Sequence, residues 1–85
     1  MPWYRLAFQR RVLSDLAAAG TPTAQRLLDK TKWIASNVDN LRHDILPNLP
    51  RLHKYAVADW RIFYEIDRSE GLVDVHAIIH KDTLR

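Results

Sequence analysis

Three features of the sequence predict an α+β fold: a small antiparallel sheet with a two-helix hairpin packed on one face, in the order β-α-α-β-β-β. The chain opens on an alternating, aromatic-rich run. Two stretches of helical periodicity follow, separated only by Gly20-Thr21-Pro22. The last third then holds Trp60-Arg61-Ile62-Phe63-Tyr64-Glu65-Ile66-Asp67, with a second apolar run of matching length after a short turn.

Each element has its own signal. In residues 3–8, Tyr4, Leu6 and Phe8 alternate with Trp3, Arg5 and Ala7, which predicts a short strand. From Arg10, Val12, Leu13, Leu16 and Ala17 share a helix face, with Arg11, Ser14 and Asp15 opposite. Gly20 suits the stop, and Thr21 before Pro22 suits an N-cap and first helical position. The second helix carries an apolar stripe through Ala24, Leu27, Leu28, Thr31, Ile34, Ala35, Val38 and Leu41. Pro47 and Pro50 forbid a regular helix over residues 43–50, which read as a linker packed by Ile45, Leu46 or Leu49. Strands are predicted over residues 52–57, 60–67 and 72–79, with turns at Ala58-Asp59 and at residues 68–71 and a polar tail from His80.

Composition narrows the function. At 85 residues the chain is too short for two ordinary domains, so residues 1–85 are expected to form one. With 47% apolar residues it is too hydrophobic to be disordered. No apolar run approaches the roughly 20 residues of a membrane helix, and no secretory signal is visible. The absence of cysteine excludes disulfides, thiolate zinc sites and a cysteine nucleophile. These features fit a cytosolic setting. His43 and His53 lack ligand spacing with a carboxylate pair, so neither a metal nor another cofactor is expected. The net charge of +3 allows an acidic partner, either nucleic acid or protein.

Pairing the last hairpin with Ile66 opposite Val73 sets Tyr64 against Val75, Ile62 against Ala77 and Trp60 against Ile79. This face is apolar and should pack on the helices. The other face would then carry Arg61, Phe63, Glu65, Asp74, His76, Ile78 and His80, with Arg61 and His80 as diagonal neighbours and Lys54 in position to join them. Arg and His bind phosphate, and Phe63 offers a ring for base stacking.

The block Asp59-Trp60-Arg61-Ile62-Phe63-Tyr64-Glu65-Ile66, with the closing run Val73-Asp74-Val75-His76-Ala77-Ile78-Ile79-His80-Lys81, resembles the RelE/ParE superfamily of small bacterial toxins. The resemblance implies a curved antiparallel sheet backed by two helices and a cognate antitoxin protein as partner. Its RelE-like members cut messenger RNA, typically on the ribosome; its ParE-like members poison DNA gyrase. Carried over by position, Arg61 matches the Arg at the scissile phosphate, Lys81 a position usually held by a second Arg, and His80 a residue that is His in many members. Lys54 lies near the basic strand positions. Ala56 stands where many members are basic, Leu84 where a Tyr commonly closes the motif, and Ala58 where a turn Gly is usual. A turn with Ala58 is expected to avoid a strongly left-handed backbone there.

The resemblance thus implies a metal-free ribonuclease in which the RNA 2′-hydroxyl attacks the adjacent phosphate. The expected catalytic set is Arg61, His80 and Lys81, with Lys54, Phe63 and His76 binding substrate and Glu65 a lower-ranked base. Plainer readings stand beside it. Arg61 can pair with Glu65 or with an antitoxin carboxylate, Lys54 and Lys81 can be solvated charges, and Trp3 and Trp33 suit the core or a helix contact. A gyrase-directed toxin, or a degenerate member that only binds antitoxin, remains an open alternative.

Overall fold

In a computed structural model, which describes residues 4–84, the chain forms strands β1 (Arg5–Phe8), β2 (Asp44–Leu46), β3 (Leu49–Val57), β4 (Trp60–Asp67) and β5 (Leu72–His80), and helices α1 (Arg11–Ala19) and α2 (Thr21–Ser36). Short 3-10 turns cover Val38–Asn40 and Lys81–Leu84. Trp3 lies outside the described residues. The sheet order is β1-β5-β4-β3-β2; β1 runs parallel to β5 and the other pairs are antiparallel.

Gly20 makes the helical hairpin possible. Its φ of 83° ends α1 and starts α2 in a single residue, a conformation that favours glycine. Gly20, not Thr21, is therefore the N-cap of α2, and Thr21 is its first residue. The predicted stripe buries Leu27, Thr31, Ile34 and Ala35, but α2 stops at Ser36. There Asn37 donates through Nδ2 to the Trp33 carbonyl (2.8 Å) and through its backbone N–H to the Ile34 carbonyl (3.1 Å). Asn competes for helical backbone groups in this way, and the stripe continues to Val38 and Leu41 through the 3-10 turn.

Residues 43–50 are not a linker. They form β2 and the start of β3, with Pro47-Asn48 at the bend. Pro50 falls where the β2–β3 register slips, between Ile45↔His53 and Leu46↔Leu49. Proline is compatible with a sheet at such an irregular edge.

The decisive departure lies in β5. The predicted register holds for Ile66↔Val73 and Tyr64↔Val75, but Phe63 pairs with Ala77, Ile62 with Ile78, Arg61 with Ile79 and Trp60 with His80. One step on β4 is matched by two on β5, so His76 is the extra residue of a β-bulge. The bulge inverts the side-chain phase beyond it. Ile78 enters the core with Val12, Leu27, Ile34, Ile62, Tyr64, Val73 and Val75, whereas Ala77 and Ile79 turn to the face without helices. His80 moves to the helix side, stacked edge-on against Trp60 at 5.1 Å.

Beyond Val75, β5 loses its β1 neighbour, because Gln9 makes the last backbone bond there (2.8 Å) and the chain turns into α1. Asp15 of α1 then supplies the missing acceptor. Its carboxylate receives the Ile78 N–H at 2.9 Å and is held by Arg11 at 3.2 Å. The residue expected on the solvated helix face instead closes a sheet edge.

Candidate functional site

Alternation against the buried Ile62 and Tyr64 defines the open face of the sheet. Lys54 pairs with Phe63, Ala56 with Arg61, and Glu65 with Asp74. At its centre is a cleft of about 460 Å³ with an apolar floor that includes Leu52, Phe63, Ala77 and Ile79, walled by Leu46, Leu49 and Leu84. Arg11 stands at its margin and His76 lines it. A second cleft of about 330 Å³, between Arg51, Glu65 and His76, adjoins it through Leu49 and Leu52.

Arg61 sits on this face at the base of the β3–β4 turn. Its Nη1 donates to the carbonyls of Ala58 (2.9 Å) and Trp60 (2.8 Å). The turn it braces is left-handed after all, with φ of 52° at Ala58. A two-residue hairpin loop needs a positive φ to match the strand twist, and that requirement outweighs the steric objection of a Cβ. Glu65 does not pair with Arg61; among the described residues Arg61 has no carboxylate partner, and neither has Lys54.

Glu65 belongs to another group. Its Oε2 accepts from Arg51 at 2.6 Å, and its Oε1 lies 3.2 Å from His76 Nε2. Asp74 Oδ2 is 3.7 Å from the same nitrogen and accepts from Gln9 at 2.8 Å. Glu65, Asp74 and His76 bring three ligand-type atoms within 4.8 Å of one another, so these are the described residues that could hold a metal ion. The predicted register already put these three on one face, but ligand spacing along the chain did not single them out, because the set spans two strands.

The predicted pairing of Arg61 with His80 does not form. The bulge places the two side chains on opposite sheet faces, and His80 Nδ1 accepts the Asp82 backbone N–H at 3.2 Å. Lys81 extends the β4–β5 pairing: its N–H donates to the Asp59 carbonyl (2.7 Å) and its Nζ lies 3.3 Å from Asp59 Oδ1. Of the predicted residues, the fold brings Lys54, Arg61, Phe63 and His76 to one face, pins Lys81 to the neighbouring turn and removes His80.

Two histidines without ligand spacing build a ring cluster on the helix side. His43 Nε2 donates to the Val38 carbonyl (2.8 Å), so its Nδ1 accepts from the Tyr64 hydroxyl at 2.6 Å. His53 packs on both rings, at 5.3 Å from His43 and 5.4 Å from Tyr64, and its Nδ1 is buried without a partner. Burial, then His43 and Arg68, hold the His53 pKa below 6.5, with Glu65 opposing. Burial, then Asp44 and Tyr55, push the Tyr64 phenol well above its ordinary range. On the same side, Trp33 packs against Tyr55 at 5.9 Å beneath the Lys30 ammonium, as a helix–sheet contact.

No helix among the described residues is long and apolar enough to cross a membrane. Residues 6–84 match the sequence family described as the ParE toxin of the type II toxin-antitoxin system parDE. Comparison with curated proteins returned no match. Among solved structures, the chain is similar to a chain of the RelBE2 toxin-antitoxin complex from Mycobacterium tuberculosis, at 16% identity over 94% of this chain and 93% of that one, with a TM-score of 0.84. It is also similar to the isolated RelE toxin of E. coli (20% identity, 91% and 83% covered, TM-score 0.71) and to a chain of the archaeal RelE-RelB complex from Pyrococcus horikoshii (14%, 95% and 97%, 0.73). At these identities the structures establish a shared fold.

Proposed function

The chain belongs to the RelE/ParE superfamily of toxins from type II toxin-antitoxin systems, and from that premise we propose that it cuts messenger RNA on its open sheet face. One observation carries the reading: Lys54, Phe63 and Arg61 form a basic-aromatic-basic strip on neighbouring β3 and β4 positions, with no carboxylate partner on either cation among the described residues. Such a strip suits a single RNA strand, with a base on the ring and phosphates on the cations. Attack by the 2′-hydroxyl on the adjacent phosphorus requires a group to take its proton and cations to stabilise the extra negative charge. Arg61 meets the second need, since a guanidinium can hold two phosphate oxygens at once. Lys54 adds charge beside Phe63, and Lys81 adds it at the turn.

The partner protein is an antitoxin, as in the RelE-RelB complexes of similar fold. The apolar cleft bordered by Leu46, Leu49 and Leu84 suits an antitoxin segment that folds as it binds and covers the strip.

Arg61→Ala is expected to lower RNA cleavage about 100-fold or more, the usual effect of removing one stabiliser of transition-state charge. Arg61→Lys should recover only part, because an ammonium lacks the two-point grip. Full toxicity of Arg61→Ala at unchanged protein level would sink the reading. The family match to ParE toxins, together with Ala56 and Leu84 where basic and aromatic residues are usual, favours a gyrase-directed toxin as second reading. Arrest of DNA supercoiling with intact messages would select it.

A further inference from the structure

We propose that His76 is the proton-transfer residue of the open face and that Glu65 and Asp74 are its positioning residues. The inference rests on the reading of the chain as an RNA-cutting toxin, and it replaces His80 in that role. His76 is the extra residue of the β5 bulge, which keeps its side chain on the open face beside Ala77. Its ring lines both clefts, and its side chain is 33% exposed, so a substrate can reach it.

The hydrogen positions follow from the partners. Carboxylates only accept, so Nε2, at 3.2 Å from Glu65 Oε1 and 3.7 Å from Asp74 Oδ2, carries a hydrogen. Nδ1 is then the lone-pair nitrogen and has no partner among the described residues. Both carboxylates are fixed in turn, Glu65 by Arg51 and Asp74 by Gln9. A base oriented by an anchored carboxylate is the arrangement that general-base chemistry needs. The other histidines do not offer it. Both ring nitrogens of His43 are engaged, His53 Nδ1 is buried on the helix side, and His80 is stacked on Trp60 across the sheet from Arg61.

In the reaction, the 2′-hydroxyl proton passes to His76 Nδ1 and the 2′-oxygen bonds to phosphorus. The bond from phosphorus to the 5′-oxygen breaks, and that oxygen takes a proton from water. The products are a 2′,3′-cyclic phosphate and a 5′-hydroxyl, and His76 returns its proton to solvent.

The test uses the purified full chain and a defined single-stranded RNA, free and as the message on programmed ribosomes, with kcat and KM for cleavage measured for each variant. His76→Gln should lower the rate about 100-fold, within the usual range for losing a general base, and by at least ten times more than His80→Gln. Thermal midpoint and antitoxin affinity are read alongside to establish folding. Glu65→Gln should lower kcat while leaving KM close to wild type, because the ring loses its anchored acceptor but the basic strip that binds RNA is untouched. Cleavage by His76→Gln at the wild-type rate, or a larger loss in His80→Gln, overturns the proposal and leaves the nuclease reading standing. A wild-type chain that arrests growth but cuts neither substrate overturns both.

Discussion

At the scale of single residues, the fold accepts two local costs. Ala58 holds a φ of 52° that glycine would adopt without strain. A Cβ in that region costs roughly 1–2 kcal/mol, so Ala58→Gly should stabilise by about 1 kcal/mol. In a domain of this size that raises the thermal midpoint by about 4–8 °C; an unchanged or lower midpoint would mean the turn is not strained. The second cost is the ring cluster of His43, His53 and Tyr64. His53 holds its pKa below the ordinary 6.5, chiefly through burial. The unfolded chain therefore takes up a proton that the folded chain resists. The stability of the neutral ring is fully present above 6.5 and is lost as pH falls through the lower, folded value. Melting at pH 7.5 and pH 5 should show a loss on acidification that His53→Phe reduces, and an equal loss in both proteins would contradict it. Neither cost was legible in the sequence. The left-handed turn is imposed by strand twist on a residue that does not favour it. The cluster joins a connector residue to two strands, and no spacing along the chain reveals that.

At the scale of elements, strong periodicity was read well and irregular geometry was not. Helix α2, β4 and the first half of β5 follow their apolar patterns, because one buried face fixes each phase, whereas α1 follows its pattern only in part: Val12 is buried, but Leu13 and Ala17 of the predicted face are exposed. The bulge at His76 breaks that logic by adding one residue to one strand. The run Ala77-Ile78-Ile79, apolar at three successive positions, carried the signal that strict alternation had ended. From it follow three differences: His80 on the helix side, Ile78 in the core and Ile79 in the cleft. Ile78→Ala should cost about 2–5 kcal/mol, as for a buried isoleucine. Ile79→Ala, on a partly buried side chain facing the cleft, should cost less, about 1–2 kcal/mol. Denaturant unfolding of the two variants compares the registers, and the reverse order would restore the uniform one. The β2–β3 hairpin was missed for a related reason. Two prolines exclude a helix, but they also fit a bent, slipped edge, and composition alone does not separate an edge from a linker.

At the scale of the whole molecule, the helices cover one sheet face, and the other presents a basic strip beside an apolar cleft. The residues of the proposed site share a phase on β4, where Arg61, Phe63 and Glu65 alternate with the buried Ile62 and Tyr64. The predicted pairing also set His76 and Asp74 on that face; the Arg51 and Gln9 contacts that hold the two carboxylates were not legible, because they come from chain segments outside the hairpin. A toxin controlled by an antitoxin suits this division: the helices cover one face, and the open side is left for the proposed RNA substrate or for the protein that blocks it. Antitoxin seated on the cleft should raise the thermal midpoint by mass action and remove cutting in proportion to the toxin bound. The most direct measurement maps the ends of a defined message in a translating extract supplied with the purified chain. New ends inside the reading frame are predicted, each upstream fragment carrying a 2′,3′-cyclic phosphate, and all of them lost with added antitoxin or with Arg61→Ala. Messages that stay intact while the same preparation arrests growth or DNA supercoiling would contradict the account.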